Sequence, residues 1–322
     1  MRAFSPTAPL KELARRALGG RGRVVGVERL RGGTKKGVYR LVLADDSSVV
    51  AYVWSGAENY WPEPHTGEGP FAHADGLDLF VGATEALASV GVRTPRVLWV
   101  ERDHRELGAD VALVEDVGGP TLEEHMAHGD PAFVRGVLGR LGEALAAMGT
   151  RSEAGVGKVS RPLVRDRSCA ELVVEHALVD LDEGARRRPE LAEVSSRVRV
   201  RLDELFERVG PRFEHGLVHS ELGPDHVLVD PAGEPVLIDV EGLMFFDVEW
   251  EHVFLRFRFG DLYRYLERPG LDPARTELYT WAEHLSLVAG PLRLLDGDYP
   301  DRAEMLGIVE YHLGRVVALA RE

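Results

Sequence analysis

The sequence predicts an α+β protein of two lobes, a small β-rich lobe over about 1–116 and a larger, mainly helical lobe over about 117–322. Three observations predict it. Residues 23–54 and 93–117 are rich in β-branched and aromatic residues in short runs. Gly118-Gly119-Pro120 then interrupts the chain and marks the crossover between lobes. Beyond residue 130 apolar residues recur at helical spacing, and only one pair of short β-rich segments breaks the pattern.

The elements follow in order. MRAFSPTAPLKELARRALGG reads as coil and then a short amphipathic helix; it lacks the long apolar core of a secretory signal. RVVGVERL, a Gly-containing turn and GVYRLVLADDSSVVAYVW give three strands, the last two joined by Asp45-Asp46-Ser47-Ser48. Residues 55–76 hold Gly, Pro and His without a period and read as a loop. LDLFVGATEALASV suits a helix that stops near Gly91, and RTPRVLWVE and DVALVEDV read as two further strands. In the second lobe, helices are expected over 131–148, 168–186 and 190–208. GLVHSELGPDHVLVD and EPVLIDVEG then form a β pair around the turn Asp230-Pro231-Ala232-Gly233. The chain from Trp250 is helical, with breaks at Pro269-Gly270 and Asp296-Gly297.

Composition narrows the function. The 322 residues are 44% apolar, enough for two lobes with real cores, and no apolar run approaches the length of a membrane span. A formal net charge of −14 argues against nucleic acid as a partner, because phosphate backbones attract basic surfaces; it suits a cationic small molecule. The one cysteine, Cys169, has no partner for an internal disulfide and reads as a buried thiol on a helix, which agrees with the cytoplasm. Lysine is confined to Lys11, Lys35, Lys36 and Lys158, so two of the four stand side by side.

The chemistry concentrates in HSELGPDHVLVDPAGEPVLIDVEG. Phosphoryl transfer needs an acid to orient or deprotonate the attacking hydroxyl, a metal ligand a few residues later, and a second acid on a following strand to hold metal against the nucleotide. In kinase-type loops the first acid follows a histidine by two residues, and the metal ligand follows that acid by five. His219, Glu221 and His226 have that spacing, and Asp239 ends the next strand but one. The spacing His215-x-x-x-His219-x-Glu221 also mimics a metal hydrolase, but that chemistry needs both histidines on a helix, and Gly216-Leu217-Val218 reads as strand.

The same residues carry a family resemblance. His219-Ser220-Glu221-Leu222-Gly223-Pro224-Asp225-His226-Val227-Leu228, followed by Ile238-Asp239-Val240-Glu241, resembles the loop and strand of aminoglycoside phosphotransferases and their choline-kinase-like relatives. Asp247 matches a further family aspartate, and Glu251 lies near the acid of a downstream segment. The resemblance covers roughly 23–260. It implies a protein-kinase-like two-lobe fold, with ATP or GTP bound in the cleft between the lobes. It also implies a magnesium ion, manganese being second choice, and a hydroxyl-bearing, antibiotic-like acceptor.

The departures from the family pattern are specific. The catalytic aspartate is Glu221 here, and the metal-binding asparagine is His226, a poorer magnesium ligand. Asp239 becomes the main metal ligand, with help from Glu221 or Glu241. The strand lysine that contacts phosphates aligns with Tyr52, and its partner glutamate aligns near Phe80. Losing both members of an ion pair is coherent, since a lone buried charge is costly. Lys35 or Lys36, in RLRGGTKKGVY, replaces the lost lysine from the loop that covers the phosphates, where Gly32 and Gly33 allow close approach. Glu115 and Val117 offer backbone groups to the base. His219 supports the loop. Asp247, Glu251 and the acids Glu249, Asp261, Glu283, Asp296 and Asp298 are candidates for a cationic acceptor. The rival expectation is a catalytically inactive nucleotide- or ligand-binding protein on the same fold.

Overall fold

The computed structural model describes residues 4–31, 33–62 and 69–321. Its elements run in the order α1 (Thr7–Leu18), β1 (Val24–Arg29), β2 (Gly37–Leu43), β3 (Ser48–Trp54), α2 (Leu77–Ser89), β4 (Val97–His104), β5 (Ala109–Glu115), α3 (Leu122–His128), α4 (Pro131–Met148), β6 (Ser152–Glu153), β7 (Gly157–Lys158), α5 (Cys169–Arg187), α6 (Pro189–Glu207), β8 (His215–Val218), β9 (Val227–Val229), β10 (Pro235–Leu237), β11 (Met244–Phe246), α7 (Val248–Phe259), α8 (Pro273–Leu295) and α9 (Arg302–Leu319). Among the described residues no helix is long and apolar enough to cross a membrane.

The chain divides into two compact units. The first comprises Met1–Trp61, Ala74–Arg140 and Asp225–Gly242; the second comprises Pro62–His73, Leu141–Pro224 and Leu243–Glu322.

In the first unit an antiparallel five-stranded sheet has the order β1-β2-β3-β5-β4. Alternate residues of β2 are buried, and Leu41, Val49, Ala51, Val53, Val111 and Leu113 form a core with Leu10 and Leu13 of α1. The hairpin between β2 and β3 turns where expected: Asp46 takes φ 65° and Leu43 N–H donates to the Ser47 carbonyl at 2.8 Å. Helix α2 ends before Gly91, whose φ of 75° and whose neighbour Val92, donating to the Leu87 carbonyl at 3.0 Å, close it as a left-handed glycine cap does. β9 and β10 form a separate hairpin in this unit, with Val227 opposite Leu237. Its turn is held by Asp230, which accepts from the N–H groups of Ala232 and Glu234.

The second unit holds most of the helical mass. Its core gathers α5, α6, α8 and α9 around Leu181, Leu202, Tyr279, Leu285, Val309 and Leu313. α5 starts in a capping box, Ser168 and Glu171 each satisfying the other's backbone N–H. The sequence reading expected one hairpin-like β region in the helical lobe. The structure adds a four-stranded sheet, β6-β8-β11-β7, in which Met244 lies opposite both Val218 and Lys158. Strands of two to four residues leave no readable period, so their partners decide them.

Candidate active site

The first unit assembles a charged site from three distant stretches. Loop 30–37 is tied at its base by Leu30 N–H donating to the Val38 carbonyl at 2.8 Å, and Thr34 accepts from the Tyr60 N–H at 2.8 Å and the Trp61 indole at 3.1 Å. Gly33 is required by close approach: a Cβ there would lie 2.4 Å from the Lys36 carbonyl oxygen. Gly37 is required likewise, since a Cβ would lie 2.6 Å from the Glu58 carboxyl carbon. Glu58 is fully buried and is met by Tyr39, Ser5 and Arg29. Gly32 lies outside the described residues.

The result is a fixed direction for Lys36. Its Nζ donates to Asp239 Oδ1 at 2.6 Å and to Glu241 Oε1 at 2.6 Å, and lies 5.3 Å from the centre of the Tyr52 ring. Burial opposes the ammonium charge, but Asp239 and Glu241 outweigh it and hold Lys36 above the ordinary lysine range. Burial likewise opposes ionisation of Asp239. Lys36, His226 and Lys35 outweigh it, and the carboxyl stays far below the usual aspartate range.

Asp239 is placed by the β9–β10 hairpin. Ile238 N–H donates to the His226 carbonyl at 3.0 Å, so the pairing continues past Leu237 to set residue 238 opposite residue 226, with Asp239 next along the chain. His226 Nε2 is 3.8 Å from Asp239 Oδ2 and 3.6 Å from Asp225 Oδ2. Asp239 takes φ 58°, a left-handed conformation that costs a non-glycine residue energy and that clusters at functional positions. Lys35 acts on Asp239 by charge, and its Nζ lies 5.9 Å from the centre of the Trp61 ring.

Tyr52 is buried on β3 and meets Phe80 of α2 edge to face, ring centres 5.4 Å apart. Trp54 completes the cluster 5.5 Å from Phe80. The positions expected to have lost an ion pair are therefore filled by aromatic packing, and burial pushes the Tyr52 hydroxyl up to about 12. At the end of β5, Glu115 turns its side chain to Arg93 and Arg96, Asp116 accepts from Arg40 at 2.6 Å, and Val117 is buried.

The resemblance implies a divalent cation, and the side chains present offer donors for one, although among the described residues Asp239, Glu241 and His226 do not close into a three-ligand cluster as Cys169, His215 and Asp247 do. Asp239, Glu241 and His226 offer two carboxylates and an imidazole. Glu241 Oε2 is buried and has no hydrogen-bond partner among the described residues. A buried carboxylate oxygen without a donor is an acceptor for a cation.

The second unit carries the other expected residues. β8 places His219 one residue past its end, fully buried, and confirms that His215 and His219 do not share a helix. Ser220 takes φ 78°, a conformation that suits glycine, and its N–H donates to Glu251 Oε2 at 2.8 Å; the His219 N–H reaches the same carboxyl. Glu221 is exposed. Glu283 of α8 is buried with Oε1 unpartnered among the described residues, and its carboxyl is pushed well up by burial, then by Glu221, Glu251 and Asp180. Burial also pushes Glu251 up to about 7.

Asp247 has a different role from the acceptor contact considered above. It is almost wholly buried, accepts from Arg275 Nε at 2.8 Å and Tyr279 Oη at 2.6 Å, and stands 3.0 Å from His215 Nδ1. It is the hub that ties β8, α7 and α8. Cys169 Sγ, 3.3 Å from His215 Nδ1, joins that hub as a buried thiol.

The sequence reading missed Asp75, whose carboxyl is raised by burial and Glu241 and lowered by Lys35 and Lys36, and the contact of Lys36 with two acids at once. No local signal marks either, because Lys36 and Asp239 are 203 residues apart.

Comparisons with known proteins agree with this architecture. A profile described as the phosphotransferase enzyme family matches residues 28–284. Aminoglycoside phosphotransferase APH(4)-Ia is 17% identical, with a TM-score of 0.66, and the match covers 96% of this chain and 99% of that one. Spectinomycin phosphotransferase APH(9)-Ia, in complex with ADP and spectinomycin, is 12% identical, with a TM-score of 0.65 and coverage of 100% and 99%. A GDP complex of an aminoglycoside 2'-phosphotransferase-IIIa variant is 17% identical, with a TM-score of 0.62 and coverage of 96% and 98%. No protein of curated function matches the chain by sequence.

Proposed function

Since the chain belongs to the phosphotransferase enzyme family, we propose that it moves the γ-phosphoryl group of ATP or GTP to a hydroxyl of an antibiotic-like small molecule, cationic in keeping with the acidic chain, in the cytoplasm. Residues 1–116 are the lobe that covers the nucleotide, and 117–322 the lobe that holds the acceptor. The observation that carries the reading is Lys36, a buried ammonium joined to two acids by a loop, where the phosphate-contacting lysine of the strand has become Tyr52.

Each residue then has a task. Lys36 neutralises phosphate oxygens as charge develops on them. Asp239 and Glu241, with His226, would hold the divalent cation, which would supply neutralising charge to the phosphates when bound. Gly33 lets the loop backbone approach the phosphates, and the backbone groups of Glu115 and Val117 meet the base. Glu221 orients the acceptor hydroxyl and takes its proton, with His219 and Glu251 holding its loop. The complexes of similar proteins with ADP and with GDP support both nucleotides as candidates.

One observation favours the inactive, ligand-binding alternative: the charge of Lys36 is already answered within the protein by Asp239 and Glu241. Calorimetry separates the two. Wild type and Asp239→Ala are titrated with ATP and GTP, each with magnesium and with manganese, and hydroxylated antibiotics are then assayed for transfer of labelled phosphate. Metal-dependent binding lost in the variant, followed by transfer, supports the enzyme. Nucleotide binding without transfer to any acceptor supports the alternative, and absence of nucleotide binding overturns the phosphotransferase reading and leaves the inactive, ligand-binding protein.

A further inference from the structure

We propose that Cys169, His215 and Asp247, all in the second unit, form a zinc site that fastens α5, β8 and α7 together. Among the described residues these are the three side chains whose donor atoms meet: Cys169 Sγ, His215 Nδ1 and an Asp247 carboxylate oxygen all lie within 4.8 Å of one another. Cys169 is the first residue of α5, His215 the first of β8, and Asp247 the residue that precedes α7. They are 1%, 4% and 1% exposed, so little water competes for the donors.

The donor chemistry selects the ion. Thiolate, imidazole and carboxylate together suit zinc, whereas magnesium and calcium take oxygen. Zinc bonds of about 2.0–2.3 Å at tetrahedral angles hold neighbouring donor atoms roughly 3.3–3.6 Å apart. Cys169 Sγ is 3.3 Å and Asp247 Oδ1 3.0 Å from the same ring nitrogen, His215 Nδ1, so a slight opening seats the ion. A thiol–imidazole–carboxylate relay needs its two partners on opposite ring nitrogens, which this convergence on Nδ1 excludes.

The surroundings fit as well. Asp247 keeps its second oxygen, Oδ2, for Arg275 Nε at 2.8 Å and Tyr279 Oη at 2.6 Å, which aim the carboxylate as outer partners of a metal ligand do. Arg212 comes within 3.3 Å of Oδ1 but holds Glu249 more closely, at 2.5 and 2.9 Å. Asp247, Glu249 and Asp272 thus share two guanidiniums, those of Arg212 and Arg275, and one negative charge is left over. A divalent cation that displaces the thiol proton to solvent adds one positive charge and makes this group neutral.

The test uses the full chain, stripped with a chelator and titrated with zinc and with cobalt in the absence of nucleotide. Wild type should bind zinc with a rise in melting temperature, and cobalt should produce a thiolate-to-metal charge-transfer band. Cys169 is the one cysteine in the chain, so that band has a single source. Cys169→Ala should lose the band and the zinc-dependent rise in melting temperature. Its zinc affinity should fall by more than the roughly 10–100-fold that losing an outer partner of a ligand costs. His226→Asn, in the other unit, should keep the band and the rise, which separates this site from the cation of the phosphotransferase reading. Wild type in which cobalt raises no such band overturns the proposal, whether or not Cys169→Ala folds, and leaves the three groups a hydrogen-bonded hub. Zinc binding of unchanged affinity in Cys169→Ala overturns it as well.

Discussion

Lys36 Nζ stands 2.6 Å from Asp239 Oδ1 and 2.6 Å from Glu241 Oε1, so one ammonium answers two acids, 203 and 205 residues away in the chain, that follow the β9–β10 hairpin. A buried cation with two partners is well compensated, whereas removing it leaves the acids facing each other. Lys36→Met should therefore weaken nucleotide binding at least tenfold, about 1.4 kcal/mol. Lys35→Met, whose ammonium faces Trp61, should change it by less. Calorimetry of both variants checks this, and equal losses would show that the loop acts only by its overall charge.

On the proposed assignment of His226 to the cation, the imidazole beside Asp239 sets the choice of metal. Magnesium takes oxygen ligands, while manganese accepts nitrogen. His226→Asn returns an amide oxygen to the position and should raise the ratio of magnesium-supported to manganese-supported binding by roughly tenfold, the low end of the scale on which residues around a metal tune its affinity. An unchanged ratio would mean that His226 does not contact the cation.

Glu251 links pH to the loop that carries Glu221. Burial raises its carboxyl from the usual glutamate range to about 7. A raised acid binds more protons folded than unfolded between those limits, so its contribution to stability is full below about pH 4.5 and is lost as pH rises through 7, at no more than about 1.4 kcal/mol per pH unit. Glu251→Gln keeps an oxygen for the Ser220 N–H and should flatten that decline. Denaturant titrations at pH 5, 6, 7 and 8 measure it; a variant with the wild-type slope would place the titration elsewhere.

Acid acts on a different pair. His284 Nδ1 and His312 Nδ1 are 2.7 Å apart between α8 and α9, and burial lowers them to about 3 and about 4. The unfolded chain binds their protons first, so stability contributed by the neutral pair is present above pH 6.5 and is lost as pH falls toward 3. Exchanging both for leucine removes the pair without leaving an orphan and should extend stability in the acid range. Thermal melts from pH 7 to 4 read the difference.

Much of this was legible in the sequence because it is local. The hairpin that carries His226 and Asp239 announces itself by spacing and by the turn at Asp230, and the breaks at Gly91 and Gly118 are backbone requirements that a single residue states. What was illegible is what only the assembled chain decides. β6, β7 and β11 exist because they have partners. The choice of Lys36 over Lys35 depends on which ammonium the loop turns inward, and the role of Glu251 depends on two N–H groups that arrive thirty residues earlier in the chain.

The packing of Tyr52 against Phe80, at positions where the family resemblance expects an ion pair, makes the sharpest test of how the first unit is built. Tyr52→Lys places a second ammonium near Lys36, whose Nζ is 5.3 Å from the present ring centre, and Phe80→Glu places a carboxylate where a side chain is almost fully buried. Each loses the edge-to-face contact, worth about 0.5–1.5 kcal/mol beyond burial, and each adds an unpaired charge. Singly they should be among the more damaging changes in the unit. Together the new ammonium and carboxylate compensate one another, and the double-mutant cycle should show a favourable coupling of roughly 1–3 kcal/mol. The double variant should also tolerate Lys36→Met better than wild type does, since the strand would again supply the cation. A coupling near zero would mean that the two positions no longer face each other as a charge pair requires, and that the aromatic packing has reshaped the unit around itself.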